Sequence, residues 1–539
     1  MQPPLSFDVE EERRPRLRTS SGHAAAPLSR ASLSADPLSE TMSFISQQVS
    51  ARAFPAREEG KISPNGLTCN MVLSIVGTTV LGICAQMKAG GWLLAPVLLC
   101  LGCAIVSEMT RLVSETIDRL QADGKTPVRA YQDFAEGAFG AVGRRVSSVT
   151  STFALLGMVG NGLILESSNL QFSAPISWEW PLGCGPGQDC RRKWWAVILT
   201  STTLLYSFVE PGPLLQKSAV LGPVVCIMCI VLALLGNGMA IADLSEFPES
   251  CRDTGSIPYW RLLPDTEEGF LAVLMNIGGI AAYGFYCFAV VVTVPSLKDQ
   301  MSEPIKLVSS SVTAYVICTA FFLIIMFLGY RGFGALGPEN LIYGMRRDRP
   351  AGWWALSSPW ETGEGTISGK AFAWMIILNL LLTDAIYVPC TVLAVEGWAP
   401  DFFAGASWRR IAARVGLATF RLLVATQVES FVALTSLTSS SFCVCNNILM
   451  PVAAYYRTGT AAGRTSAARK AAHALIFLFG CFVMISGSYG ALSSMLAPAG
   501  REEDAVAKGT LPREGISAAC RDEYWKAVGS GPGAGLLSL

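Results

Sequence analysis

The sequence predicts an all-α polytopic membrane protein with about 11 transmembrane helices. Composition is the first reason: 51% of the 539 residues are hydrophobic and 15% are charged, against about 25% charged in soluble domains. Mean hydropathy is +0.41. Second, the apolar runs are about 20 residues long, the length that crosses a bilayer as a helix; ten-residue alternating segments of a β-barrel are absent. Third, the first and sixth runs carry glycines where a stable helix should be strongest.

In chain order, residues 1–60 come first. They are polar, rich in Ser, Pro, Ala and Arg, and lack an apolar run. Such a segment buries too little surface to fold, so a disordered cytoplasmic N-terminal tail is expected, with no cleaved signal. Arg13, Arg14, Arg16 and Arg18 form a small basic cluster and Ser32 a phosphoacceptor candidate; a solvated tail is the simpler reading. Residues 61–497 form the membrane domain. Its apolar windows lie near Gly66–Met87, Gly91–Val113, Val146–Ser168, Trp194–Phe208, Ser218–Ala242, Gly269–Val294, Leu307–Gly329, Ala371–Val395, Val415–Leu434, Thr435–Tyr456 and Ala472–Leu496. Residues 498–539 follow as a C-terminal tail. With eleven spans and a cytoplasmic start, that tail is non-cytoplasmic. Arg111, Arg119, Arg144, Arg145, Lys298, Lys306, Arg409, Arg410, Arg469 and Lys470 then lie inside, although Arg191, Arg192, Lys193, Arg346, Arg347 and Arg349 lie outside. Trp92, Trp194, Trp195, Trp398 and Trp408 sit at span ends, as an interfacial belt requires.

Net charge is zero and nothing resembles a nucleic-acid reader. The two histidines, His23 and His473, are far apart in sequence and make no His-based metal or catalytic cluster. Lys61, Lys125 and Lys370 follow glycines but lack the earlier glycine of a phosphate-binding loop. An enzyme or ATP-driven pump is therefore not expected, and no cofactor beyond a transported H+ or Na+. Most of the 16 cysteines fall in apolar spans as small fillers. Cys184, Cys190 and Cys251 fall in outer loops, where oxidising conditions permit a disulfide of undetermined connectivity.

Span 1 reads Ile75-Val76-Gly77-Thr78-Thr79-Val80-Leu81-Gly82. Glycine, threonine and β-branched residues are poor helix formers. In lipid, a loosened backbone is tolerated only around a water-filled or ligand-filled cavity. Glycine at helix crossings is the competing reading. Span 6 repeats the feature, with Gly278, Gly279 and Gly284 in mid-membrane. Interrupted spans at matching positions of two halves mark inverted-repeat transporters; here they are five spans apart, a 5+5 repeat plus one extra helix.

Four motifs then carry a resemblance. Ile75–Gly82 with Ala89-Gly90-Gly91-Trp92 resembles the "IVGSGILGLPYAF…GW" opening of the amino acid/auxin permease family. Tyr131-Gln132-Asp133 through Phe139-Gly140, with Gly143-Arg144, resembles that family's "Y-x-D-L…A-F-G-x-x-G-R". Pro295-Ser296-Leu297-Lys298 through Met301 and Pro304 resembles "P-E-I-Q-x-x-M-K-x-P". Gly329-Tyr330, Phe333-Gly334 and Asn340 resemble "G-Y-x-x-F-G…N-I". Ile83-Cys84 stands where the family often has Leu-Pro, and Leu73 where sodium-coupled branches usually place Asn; the nearest Asn is Asn70. The resemblance implies a LeuT-like fold in the amino acid–polyamine–organocation superfamily. It further implies a secondary active transporter that moves amino acids by alternating access, by symport with protons or sodium. A non-transporting amino acid sensor on the same fold is the alternative. A plasma membrane and a vacuolar or lysosomal membrane are equally compatible.

Backbone N–H groups near Gly77, Thr78, Thr79 and Val80 suit a substrate carboxylate. Loosened carbonyls of span 1 and of Ala282–Gly284 suit its ammonium. The Thr hydroxyls either join them or bond back to their own helix. Tyr283, Phe285, Tyr286 and Phe288 either gate the site or pack. Asp384 in span 8 is an ion-coupling candidate with Thr383 and Asn70; it alternatively faces a cationic side chain or pairs with Arg421. Glu166, near the outer end of span 3, either lines an outer vestibule or is a rim residue that reaches water. Asn446 and Asn447 are expected to bridge helices.

Overall fold

A computed structural model describes residues 62–77, 79–124, 128–176, 178, 191–208, 211–243, 261–263, 269–334, 340–344, 367–396, 398, 402–403, 407–428, 431–460 and 465–496. All belong to the unit Glu59–Leu539. Among them seven helices are long and apolar enough to cross a bilayer: Thr79–Ala122, Ala141–Ser173, Phe270–Gln300, Pro304–Phe333, Gly369–Glu396, Phe431–Arg457 and Ala467–Ser493. The protein is an all-helical, multi-pass membrane protein. Cys184, Cys190, Cys251, Thr78 and both proposed tails lie outside the described residues.

Helix α1 (Pro64–Val76) starts where the local chemistry directs. Ser63 accepts from the Gly66 N–H at 3.1 Å, and Pro64 occupies the first turn, where its missing N–H costs nothing. The helix stops at Gly77 (φ −44°, ψ −107°) and restarts as α2 (Thr79–Ala122). The interruption read from span 1 is therefore present. A second break divides α2 at Gly91, whose φ of +69° suits only glycine. It separates span 1 from span 2. The N–H groups of Trp92 and Leu93, freed by the bend, donate to the carbonyls of Arg261 and Leu262 at 2.9 and 3.1 Å. A Cβ at Gly91 would lie 2.7 Å from the Arg261 oxygen, so the bend also needs glycine for space.

The remaining elements are α3 (Tyr131–Phe139), α4 (Ala141–Ser173), α5 (Arg192–Leu204) with a 3-10 turn at Leu205–Phe208, α6 (Pro211–Asp243), α7 (Phe270–Cys287), α8 (Val294–Gln300), α9 (Leu307–Phe333), α10 (Ile367–Glu396), α11 (Ser407–Gln427), α12 (Phe431–Thr438), α13 (Met450–Arg457) and α14 (Ala467–Leu496). A helix lies at each apolar window. One boundary moves: Phe431–Leu434, read as the end of span 9, begins span 10, because α11 ends at Gln427. Two π-helical stretches, Ser439–Cys443 and Cys445–Leu449, join α12 to α13. Helix α9 packs on α1, α2 and α6; α10 on α4 and α6; α14 on α7. The largest fully buried side chains include Tyr315, Phe322, Phe333 and Phe372.

Span 6 is interrupted, but not at its glycines. Helix α7 runs intact through Gly278, Gly279 and Gly284 and ends at Cys287; Phe288–Val290 turn, and a 3-10 segment Val291–Thr293 leads into α8. One of the glycines instead permits close packing. A Cβ on Gly278 would lie 2.8 Å from the Gly487 nitrogen of α14, whereas one on Gly284 would make an ordinary contact, 3.7 Å from the Leu98 carbonyl. The break has another origin. Pro295 has no N–H to give the Val291 carbonyl, and the β-branched run Val290–Thr293 disfavours helix upstream of it.

Candidate functional site

The two breaks meet at one cavity. From span 1 it is lined by Ser74, Ile75, Gly77 and Thr79; from the span 6 break by Tyr286, Cys287, Ala289 and Val290. Helix α4 contributes Met158 and Gly162, and α10 contributes Leu380, Thr383, Asp384 and Tyr387. Helix α1 ends and α2 begins at this wall, and a helix leaves its last carbonyls and first N–H groups without intrahelical partners. One wall thus presents acceptors and donors with opposite partial charge.

Of the residues anticipated from sequence, Gly77, Thr79, Tyr286, Thr383 and Asp384 line the cavity. Val80, Ala282, Tyr283, Gly284, Phe285, Phe288 and Asn70 do not. The Thr79 hydroxyl bonds back to Ile75 O at 2.6 Å, and Thr383 to Asn379 O at 2.8 Å. Tyr283 is not a gate: its hydroxyl donates to the Thr79 carbonyl at 3.0 Å and ties span 6 to span 1. That approach requires Gly82, where a Cβ would lie 2.5 Å from the Tyr283 oxygen. Phe285 packs edge-on against Phe479, and Phe288 against Tyr315. Ala282 offers no loose carbonyl, since Ser439 Oγ donates to it.

Behind the cavity lies a charge cluster. Asp384 forms a hydrogen-bonded ion pair with Arg421 Nη2. The guanidinium also donates from Nε to Val159 O at 2.7 Å and from Nη1 to Thr203 Oγ1 at 2.9 Å. Glu166 corrects one of its two readings, that of a rim residue reaching water. It is 0% exposed, 3.6 Å from Arg421 Nη2, and neither carboxyl oxygen has a hydrogen-bond partner. Gly162 makes room for the cluster: a Cβ there would be 3.4 Å from Asp384 Oδ1. Sequence reasoning also passed over Asn379, fully buried, whose Oδ1 lies 3.1 Å from the Cβ direction of Gly77 and has no partner.

A family model described as "Transmembrane amino acid transporter protein" matches residues 60–493. The chain belongs to this family. It is a transporter family, not an enzyme family. Amino acid transporter AVT1C of Arabidopsis thaliana is 22% identical over 496 residues, covering 92% of this chain and 80% of the relative. Amino acid transporter AVT1B of the same plant is 21% identical over 427 residues, covering 79% and 70%. The crystal structure of MhsT in complex with L-phenylalanine is similar at a TM-score of 0.48 and 14% identity, covering 82% of this chain and 98% of that one.

The motifs shared with this transporter family have physical work at the inner and outer ends of the helices. Asp133 Oδ2 accepts from the Ala130 N–H at 3.0 Å to start α3, and Arg144 reaches Glu136 at 2.5 Å across Gly140 (φ +71°). Lys298 anchors α8 on α2, donating to Ser114 O at 3.0 Å and Asp118 Oδ1 at 2.6 Å. Asn340 donates to Asn169 Oδ1 at 2.8 Å. Asn446 bridges helices as expected, accepting from Thr150 at 2.6 Å, whereas the buried Asn447 side chain makes no hydrogen bond.

Proposed function

We propose that the chain is a secondary active transporter that carries amino acids across its membrane by alternating access. In this reading, spans 1–5 and 6–10 form a LeuT-like inverted repeat, with α14 appended. The observation that carries it is the convergence of both interrupted spans on one cavity, at Gly77 and at Ala289–Val290. A free amino acid always carries a carboxylate and an ammonium. The first N–H groups of α2, around Thr79 and Val80, suit the carboxylate, and the last carbonyls of α1 suit the ammonium. Met158, Tyr286, Val290 and Leu380 then surround the side chain. Asp384 borders the same space, but its engagement by Arg421 favours a neutral over a cationic side chain. A proton or sodium gradient drives accumulation.

The test is uptake of radiolabelled amino acids into proteoliposomes, with and without a pH or sodium gradient. Gradient-dependent accumulation is expected. Saturable binding without flux would overturn the reading in favour of a sensor.

A further inference from the structure

Two buried carboxylates share one guanidinium. Arg421 contributes a single positive charge, and Asp384 already holds its Nη2 in a hydrogen bond. Glu166 Oε2 stands 3.6 Å from the same nitrogen, beyond hydrogen-bond reach, and both Glu166 oxygens are buried without a partner. Besides Asp384 from α10 and Arg421 from α11, the titratable side chain in electrostatic range, among the described residues, is Tyr206 from the Leu205–Phe208 turn. It brings no positive charge. If all three groups were ionised, the cluster would hold one uncompensated negative charge in the protein interior, which costs several kcal/mol unless a cation neutralises it.

The cation that suits the place is a proton. A metal ion needs several oxygen ligands, but among the described residues no group of three or more acidic, cysteine or histidine side chains is placed to hold one, and the Arg421 guanidinium stands 3.6 Å from Glu166. A proton needs neither space nor a ligand shell. The position also communicates with the substrate cavity. Met158 and Gly162 line it from α4, and Glu166 is the next residue of the same i, i+4 row.

We propose that Glu166 is the residue that takes up and releases the proton coupled to substrate movement, while Asp384–Arg421 stays an ion pair. In the described arrangement Glu166 is a neutral carboxylic acid. Release of its proton, when the cavity opens to the other side and admits water, leaves a carboxylate that water solvates beside Arg421, 3.6 Å away. The proposal rests on the transport reading above and assigns its driving ion.

The test uses purified full-length protein in proteoliposomes, with substrate exchange, pH-driven accumulation and an entrapped pH-sensitive dye measured side by side. One proton per substrate allows about tenfold accumulation per pH unit. In Glu166→Gln, exchange is expected to persist while accumulation falls to simple equilibration and the dye no longer reports proton entry. Glu166→Asp should retain proton entry with a displaced pH profile. Accumulation and proton entry at wild-type levels in Glu166→Gln overturn the proposal. So does a folded Glu166→Gln protein that has lost exchange and is not rescued by Glu166→Asp, or accumulation driven by sodium alone in the wild type. Absence of exchange in the wild type refutes the transport reading instead.

Discussion

Removing Arg421 should harm the protein more than removing either acid beside it. In Arg421→Met the side chain keeps much of its length, yet Asp384 loses its ion pair in the interior. Stranding a buried charge in this way costs about 3–5 kcal/mol. The Val159 carbonyl and Thr203 hydroxyl also lose their donors. Asp384→Asn is different. Its amide oxygen still accepts from Arg421, and Glu166, 3.6 Å from the guanidinium, ionises in place of Asp384 to balance it, so the loss is that of one charge-assisted hydrogen bond, about 1.5–3 kcal/mol. The triple variant Arg421→Met, Asp384→Asn, Glu166→Gln contains no buried charge in the cluster and should recover most of the deficit. Thermal unfolding and SDS titration in detergent, followed by far-UV circular dichroism, rank the variants. Equal stability of Arg421→Met and Asp384→Asn, or a triple variant no better than Arg421→Met, would refute the shared-guanidinium account.

Gly77→Leu should fill the break and weaken substrate binding by about 100-fold or more, near 3 kcal/mol, whereas Gly77→Ala, whose Cβ would come within 3.1 Å of the Asn379 side chain, should weaken it less; equilibrium binding of labelled substrate decides, and unchanged affinity in Gly77→Leu places the site elsewhere. Tyr283→Phe leaves the Thr79 carbonyl without the donor now at 3.0 Å, a loss of about 1–3 kcal/mol in unfolding experiments; no change would mean the bond contributes nothing. Elsewhere in the bundle, Glu108 accepts from Arg469 at 2.8 Å and meets His473 at 2.9 Å. Glu108→Gln should lower stability by about 1.5–3 kcal/mol without altering substrate affinity, because none of these residues lines the cavity; a large affinity change would count against that separation.

The two interrupted spans show what glycine in a membrane helix does and does not say. At Gly77 the residues report the backbone directly: helix former gives way to Gly-Thr-Thr, and α1 ends there. In span 6 the same residue type means something else, because Gly278 sits under a neighbouring helix. Composition alone does not separate the two uses, since both require a missing Cβ; the partner surface decides, and it comes from residues about 200 positions away in the case of Gly278 and Ser486–Gly487. The true break was nonetheless written locally, in Val290–Thr293 ahead of Pro295. Glu166 was misplaced for a related reason. Its depth depends on where α4 ends, and α4 continues to Ser173, beyond the Asn169–Asn340 hydrogen bond. A carboxyl two turns inside a helix end, on the row that includes Gly162, belongs to the interior. The same chain that spends Asp384 on Arg421 therefore leaves its other buried acid free of hydrogen bonds, and a free buried acid is where a proton can be held without disturbing the grip on the substrate.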